Sequence, residues 1–318
     1  MAEAPRPWLA IVVILVLIAA GGGLSGYLWY TQRPQGPTSV LTVQVGDNVT
    51  VSYIGTFGSG PQLGRVFDTS VYSVAINDGA WPKGLEYTPR GAEANYTPLP
   101  VYVGSNAPSG GYSLANQSFV SVVTGFWQGL VGLAGNQTRT IRVPPSLGYG
   151  PSNPACIVDR PIVESFPILQ TFSRVGFSSA YPGVNPATGA TFADPHYPWN
   201  ILIYSTNASS ITTMNLAQVG ATTSPGGWPI VVTNVSSSTT GNGTITVRNE
   251  LNPNQAGLIL GYDFQGNGPC RTQTNGKFIV TSVNVGAGTY TADFNTEVTG
   301  QTLLFTVPPV NIFPPGKG

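Results

Sequence analysis

Short runs of β-branched residues, each ended by a turn-forming residue, recur along the chain from residue 40 onwards. The first two runs, 40–45 and 48–53, are separated by Gly46 and Asp47. This alternation is typical of antiparallel sheets, and the 40 Gly and 28 Pro residues supply the turns. The one segment that favours a helix, 125–133, is short. We therefore expect a mainly β (α+β) protein with little helix.

Charged residues are scarce, with 13 Lys+Arg and 13 Asp+Glu among 318 residues and a net charge of zero. Nucleic-acid binding needs a basic surface and is excluded. One His and two Cys cannot supply the ligands of a zinc or haem site, so we expect no metal and no cofactor. His196 therefore has a structural or surface role. The scarcity of carboxylates also predicts resistance to acid, because few groups can be protonated.

An uncharged apolar segment, 8–30, follows a short N-terminal tail, 1–7. It is long enough to cross a bilayer as a helix, which needs roughly 20 residues. Aromatic residues at both ends, Trp8 and Tyr30 among them, are typical of membrane interfaces. Small residues at 19–23 leave a cleaved signal peptide as the alternative. In either case we expect the main domains outside the cytoplasm. If the segment is not cleaved, it is a single-pass anchor in the cell membrane that a linker at 31–38 joins to these domains.

Seven Asn-x-Ser/Thr sequons follow the anchor and favour an exported, glycosylated chain. Each sequon alone is a weak signal, because the sequence is rich in Asn, Ser and Thr. The candidate glycosylation sites are Asn48, Asn95, Asn116, Asn136, Asn207, Asn234 and Asn242.

Three separated blocks of sequence carry a resemblance to a known family. They cover 49–57 with 64–70, 122–133 with 139–151, and 293–295 with 300–307. In this order they resemble the FKBP-type peptidyl-prolyl cis-trans isomerases, particularly the SlyD-like branch with its insert-in-flap domain. The resemblance implies a curved antiparallel sheet around one short helix, formed by 39–155 and 289–313. It also implies an enlarged β-rich insert at 156–288 that captures unfolded chains, as a chaperone does.

An apolar cleft between the sheet and the helix is also implied by the resemblance. Its catalytic positions correspond to Tyr53, Phe67, Asp68, Phe126, Tyr149 and Phe305. Its substrate-binding positions correspond to Val66, Leu99, Val122 and Val123. Leu99 stands where many family members have an aromatic residue, and the His-rich tail of bacterial SlyD proteins is absent. Taken singly, most of these residue types also suit an ordinary β core.

The expected insert contains two further signals. Its stretches 199–203 and 228–232 resemble each other weakly, each opening with Trp, and they predict buried strands of one β module. Cys156 and Cys270 lie at the start and near the end of the insert. In an exported protein such a pair indicates a disulfide, with two free thiols as the alternative.

Two functions remain open at the level of sequence. The first is a membrane-anchored isomerase that assists the folding of exported proteins, with proline-containing unfolded or nascent polypeptides as partners. The second is a non-catalytic surface binding or structural protein with the same fold. Leu99 and the Gly/Asn/Thr-rich insert favour this alternative.

Overall fold

The computed structural model describes residues 40–106, 119–236, 243–263, 266 and 268–314. Within these ranges antiparallel sheets dominate and the helices are few and short, which confirms the mainly β prediction. None of the helices in these ranges is both long and apolar enough to span a membrane. The expected tail at 1–7, anchor at 8–30 and linker at 31–38 lie outside the described residues.

The strands and helices are short throughout. The N-terminal part contains β1 (Asn48–Val51), β2 (Ile54–Phe57), β3 (Val66–Thr69), α1 (Tyr72–Ala75), β4 (Leu99–Tyr102), α2 (Thr124–Leu130) and β5 (Arg139–Val143). The middle part begins with β6 (Ile157–Pro161), β7 (Val163–Pro167), β8 (Leu169–Ser173), α3 (Arg174–Ala180), β9 (Thr191–Ala193), β10 (Asn200–Thr206) and β11 (Ser210–Leu216). It continues with β12 (Thr222–Thr223), β13 (Ile230–Ser236), β14 (Thr244–Asn249), β15 (Leu260–Tyr262), α4 (Arg271–Thr274), β16 (Lys277–Asn284) and β17 (Thr289–Asp293). The chain ends with β18 (Leu303–Val307) and β19 (Asn311–Phe313).

Two sheets combine strands from both ends of the described chain. Their strand orders are β3-β2-β18-β5 and β19-β1-β4. Strand β18 lies between β2 and β5, where Phe305 pairs with Gly55 on one side and Ile141 on the other. Leu303, Phe305 and Val307 are buried in alternation with their neighbours, because successive side chains of a strand point to opposite faces.

Helix α2 lies close against β5 through two glycines that are one helical turn apart. A Cβ atom on Gly125 would come within 2.7 Å of Val143, and a Cβ on Gly129 would overlap Ile141. Phe126 of the same helix is buried in the core that the sheets enclose. The glycines therefore set how closely the helix approaches the sheet.

The middle part of the chain contains one unit three times. Each unit is a four-stranded sheet, with the orders β9-β10-β11-β8, β12-β13-β14-β7 and β15-β16-β17-β6. Strands β6, β7 and β8 are linked by the single residues Ile162 and Ile168, and they pair with the three hairpins in reverse order. In each hairpin the register shifts at the corresponding residue, Ile203, Val232 or Val280.

The two similar stretches of sequence occupy equivalent places in the first two units. Trp199 and Trp228 each stand four residues before the register shift, and both are buried. In the third unit the equivalent residue is Gly276. The third copy therefore lacks the tryptophan that marks the other two in the sequence.

Buried side chains form two large cores and one small cluster. The first core combines residues from 43–143 and 303–310, and the second gathers the three repeated sheets. The small cluster is formed by Phe177, Ile203 and Ile211. Strand β17 packs in the second core, as does Phe294. The return to the first core thus comes after Phe294, later than the boundary at 288/289 that the sequence suggested.

Cys156 and Cys270 form a disulfide, which confirms the pairing expected from the sequence. Their Cα atoms are 5.3 Å apart and 114 residues separate them along the chain. The backbone N–H of Phe294 donates to the carbonyl of Cys156, 2.9 Å away. The disulfide therefore lies beside the point where the chain enters and leaves the second core.

Candidate functional site

An open cleft of about 270 Å³ is bordered by β3, β4, β18 and the start of α2. Nine of the ten residues singled out in the sequence line it, together with Ser121. The nine are Tyr53, Phe67, Asp68, Leu99, Val122, Val123, Phe126, Tyr149 and Phe305. Residues from four distant parts of the sequence thus meet around one space.

Val66 is the residue of the ten that does not line the cleft. It precedes Phe67 on β3 and is completely buried. Its backbone forms hydrogen bonds with Pro82 and Gly84 of the following loop. The pairing of β3 with β2 is irregular here, because Val66 pairs with Thr56 and Asp68 with Gly55, which leaves Phe67 as an extra, unpaired residue. Phe67 and Asp68 therefore both line the cleft, whereas Val66 is buried in the interior.

Aromatic rings form a continuous wall of the cleft. The ring centroid of Phe305 lies 4.7 Å from that of Phe126, 5.5 Å from that of Phe67 and 6.0 Å from that of Tyr53. The rings meet in tilted or edge-to-face arrangements, which aromatic pairs prefer. The wall is therefore apolar and is held rigidly by contacts within the first core.

A glycine in β2 allows Phe67 to take its place in this wall. A Cβ atom on Gly55 would lie 2.6 Å from Cζ of Phe67. Gly55 pairs with Asp68 on one side and with Phe305 on the other, so it stands at the centre of the site. Any larger residue at this position would displace the ring.

A polar cluster closes one edge of the cleft. The hydroxyl of Tyr53 donates to Oδ2 of Asp68, and the guanidinium of Arg90 donates to that hydroxyl at 2.8 Å. Arg90 also donates to Oδ1 of Asp68 at 2.9 Å, and the backbone N–H of Thr69 donates to the same oxygen at 2.8 Å. The Asp68 carboxylate is thus oriented by three donors and neutralised by one cation.

Two tyrosines remain protonated donors at this edge. Burial raises the pKa of Tyr53, and the charge of Asp68 raises it further. Partial burial also raises the pKa of Tyr149, and the charge of Asp68 contributes. Tyr149 is 51% exposed, and its hydroxyl makes no hydrogen bond to any described residue. The Tyr149 hydroxyl is therefore available to a ligand at the mouth of the cleft.

Two residues of the site were not singled out in the sequence. Arg90 reaches Asp68 from the long loop between β3 and β4, which carries no part of the three sequence blocks. Ser121 lies one residue before the second block. Neither position had a signal of its own, since a single arginine or serine in a loop is not a pattern.

The remaining predicted sites that the structure describes do not line the cleft. Asn48 is buried in β1, whereas four candidate glycosylation sites are exposed: Asn95, Asn136, Asn207 and Asn234. Asn116 and Asn242 lie outside the described residues. His196 borders a separate groove in the region of the three repeated sheets.

Comparisons with known proteins assign no family to the chain. No protein-family model matches it, and no curated protein matches it. What the cleft can do therefore follows from its own geometry and chemistry.

Proposed function

We propose that the chain is a peptidyl-prolyl cis-trans isomerase of the FKBP type, related to the SlyD-like branch. The observation that carries this proposal is that eight residues from three separate sequence blocks, together with Leu99, line one open cleft. The meeting of these residues around one space is what the resemblance implies, and it supports the proposal. The cleft is also open rather than filled by the chain's own loops, as a substrate site requires.

The chemistry needs neither a nucleophile nor proton transfer. Rotation about an Xaa-Pro bond passes through a twisted amide over a barrier of about 18–20 kcal/mol. In the planar amide, resonance places negative charge on the oxygen, and twisting removes that charge. An apolar cleft therefore favours the twisted amide over the planar one, which is differential binding of the transition state.

The residues of the cleft divide this task between them. Phe67, Phe126 and Phe305 form an aromatic socket for the proline ring, with their rings in mutual contact. The hydroxyl of Tyr149, which has no partner among the described residues, donates to a carbonyl of the substrate. Asp68 accepts from donors near the proline and is held in place by Arg90 and Tyr53.

The cellular role follows from the same resemblance and from the N-terminal sequence. The apolar segment 8–30 anchors the enzyme in the cell membrane, and the main domains lie outside the cytoplasm. The substrates are proline-containing unfolded or nascent polypeptides. The region from Cys156 to Gly288 serves as a chaperone-like module that holds these chains. Deletion of this module together with β17 and Phe294, which pack in the same core, is expected to abolish suppression of aggregation while leaving isomerisation of short peptides largely intact.

The proposal is tested by protease-coupled isomerisation of a short chromogenic peptide with one Xaa-Pro bond, using the full chain. Tyr149→Ala is expected to lower kcat/KM about tenfold, since one hydrogen bond to the substrate contributes roughly 1–1.5 kcal/mol. Tyr204→Ala is a matched control, because Tyr204 is 52% exposed and lies outside the cleft. Phe67→Ala is expected to reduce the rate further by opening the socket.

The second candidate function is a non-catalytic binding protein, favoured by Leu99 in place of an aromatic wall residue. It predicts that proline peptides bind in the cleft and that Tyr149→Ala weakens binding, with no acceleration of isomerisation. If the wild-type chain did not accelerate isomerisation, this would therefore contradict the proposal that the chain is an enzyme. Activity that is the same in wild type, Phe67→Ala and Tyr149→Ala would contradict the proposed site.

A further inference from the structure

A second cavity lies in the region of the three repeated sheets. It is a groove of about 760 Å³ between the first and second units, bordered by β7, β8, β11, the end of α3 and the loop before β10. Its volume falls within the range of about 300–1,000 Å³ that is usual for small-molecule sites. The groove and the isomerase cleft have no lining residue in common.

The equivalent place between the second and third units shows how such a groove is closed. There Nε1 of Trp228 donates to Oδ1 of Asn249 at 2.8 Å. The Asn249 amide nitrogen donates in turn to the carbonyl of Ile162 and to Glu164. The cavity at this position is only about 170 Å³. In the second unit the indole N–H of the tryptophan and the amide oxygen of the asparagine thus satisfy each other's need for a hydrogen-bond partner.

The equivalent residues of the first unit are Trp199 and Asn215, and they form no hydrogen bond with each other. The indole N–H of Trp199 is buried and has no acceptor among the described residues. The Asn215 amide nitrogen donates to the carbonyl of Pro167 at 3.0 Å, and its Oδ1 receives no hydrogen bond from any described residue. A buried donor without a partner is unfavourable. An oxygen of a bound ligand would satisfy it.

Rings provide the apolar walls of this groove. Tyr197 stacks on Trp199 with ring centroids 4.7 Å apart and an angle of 3° between the planes, and Phe166 lies 4.6 Å from Tyr197. Phe172 and Tyr181 form a second ring pair, with centroids 5.8 Å apart. No Leu, Ile, Val or Met borders the groove among the described residues. The walls therefore suit a ligand with flat apolar faces better than an aliphatic chain.

One carboxylate adds a fixed acceptor. Oδ1 of Asp194 accepts from the backbone N–H groups of His196, at 2.8 Å, and Tyr197, at 2.9 Å. Its Oδ2 receives no hydrogen bond from the described residues, and burial raises the pKa of the carboxyl group. No Lys or Arg of the described chain borders the groove. Among the described lining residues only His196 can carry a positive charge, and the Asp194 carboxylate that it interacts with offsets it, so an anionic ligand is disfavoured.

We propose that this groove binds an uncharged oligosaccharide, with sugar rings packed on Tyr197 and its aromatic neighbours. The unused groups are a donor on Trp199 and acceptors on Asp194 and Asn215, and sugar hydroxyls both donate and accept. The C–H faces of a pyranose are apolar and pack well on aromatic rings. A proline-rich peptide also packs on rings, but its prolines have no N–H for the two acceptors.

The test measures binding of maltotriose, cellotriose, mannotriose and chitotriose to the full chain by isothermal titration calorimetry and tryptophan fluorescence. At least one trisaccharide is expected to bind saturably. Tyr197→Ala and Asp194→Asn are each expected to weaken it about tenfold or more, through loss of a stacked ring or of an acceptor. Asp194→Asn keeps the acceptor that holds the loop and therefore preserves the fold. Tyr204→Ala is the matched control and should bind as the wild type does.

Three outcomes would overturn the proposal. The first is that none of the four trisaccharides binds at millimolar concentration. The second is that Asp194→Asn binds as tightly as the wild type. The third is that a proline-rich peptide binds in place of the sugars and is lost in Tyr197→Ala, which would assign the groove to peptides. None of these results depends on isomerase activity, so the two proposals stand or fall separately.

Discussion

Arg90 joins the two polar side chains at the edge of the proposed isomerase cleft. It is ion-paired with Asp68 and donates to the hydroxyl of Tyr53. Arg90→Gln is expected to destabilise the protein by about 1 kcal/mol, since the ion pair is partly exposed and screened by solvent. The same substitution is expected to lower kcat/KM several-fold, because Asp68 and Tyr53 lose a positioning contact. Urea unfolding and the peptide assay measure the two effects.

A second ion pair provides the control for Arg90. Arg248 donates to Glu250 at 2.6 Å, and both side chains are well exposed to solvent. Arg248→Gln is expected to change the free energy of unfolding by no more than about 0.5 kcal/mol and to leave the peptide assay unchanged. Equal effects of the two substitutions would mean that the contact of Arg90 with Tyr53 and Asp68 contributes no more to stability or activity than an exposed ion pair does.

The residues of the cleft were largely predictable because eight of them belong to blocks of sequence, although Leu99 and Ser121 do not. Phe67, Phe126 and Tyr149 stand within such blocks. Arg90 does not, and its position depends on how a long loop folds back over Asp68. Val66 was assigned to the cleft along with Phe67, but the irregular pairing of β3 at Phe67 turns Phe67 and Asp68 to the cleft and leaves Val66 in the interior, and the sequence does not reveal that irregularity.

Helix α2 provides a prediction at the scale of the element. Alanine is a better helix former than glycine by about 1 kcal/mol, so propensity alone predicts that Gly129→Ala is stabilising. A Cβ at Gly129 would overlap Ile141 of β5, and overpacking costs about 1–3 kcal/mol. Gly129→Ala is therefore expected to destabilise the protein by up to about 2 kcal/mol in thermal or urea unfolding.

Helix α3 offers the matched substitution. A Cβ at Gly176 would meet only Oγ of Ser173, at 3.1 Å. Gly176→Ala is accordingly expected to be neutral or to stabilise the protein by up to about 1 kcal/mol. If Gly129→Ala were stabilising as well, the close approach of α2 to β5 would not limit that position.

The threefold repeat was only half visible in the sequence. The weak similarity of the stretches that open with Trp199 and Trp228 predicted strands of one β module, whereas the structure places them in two separate sheets. The third copy has Gly276 at the same position, and its strands contain other buried residues, including Phe278. The pairing of β6, β7 and β8 with hairpins in reverse order joins residues up to 136 positions apart, as in Ile157 with Asp293. Local patterns do not encode such long-range partners.

At the scale of the molecule, the chain divides into two cores that are connected twice. The side chain of Asn295 accepts from the backbone N–H of Asn153 and donates to Ser152 and Asp293. The disulfide of Cys156 lies close by along the chain. The sequence indicated this region through its cysteines, but it did not show that β17 would pack with the second core. That boundary depends on the pairing of β17 with β6, which the sequence blocks do not reveal.

Glu297 lies just beyond this connection and makes the stability of the folded protein depend on pH. It is 7% exposed, and Oε2 accepts from the backbone N–H of Glu86 at 2.9 Å. Oε2 of Glu86 accepts in return from the backbone N–H of Glu297. Burial raises the pKa of Glu297, its hydrogen bonds partly offset this, and the charge of Glu86 raises it further. Burial raises the pKa of Asp194 as well.

Because both pKa values are raised on folding, the folded protein binds protons at a pH where the unfolded chain has lost them. Stability from these groups is complete below the unfolded values, near about 4, and is lost as pH rises through the folded ones. The thermal unfolding midpoint is therefore expected to be higher at pH 4.5 than at pH 7, and Glu297→Gln should flatten this rise. Glu93→Gln, at an exposed position, is the control and should leave the rise of the unfolding midpoint unchanged. Loss of the circular dichroism signal between pH 5 and 3 would instead show that other carboxylates, among the 13 acidic residues, decide the response to acid.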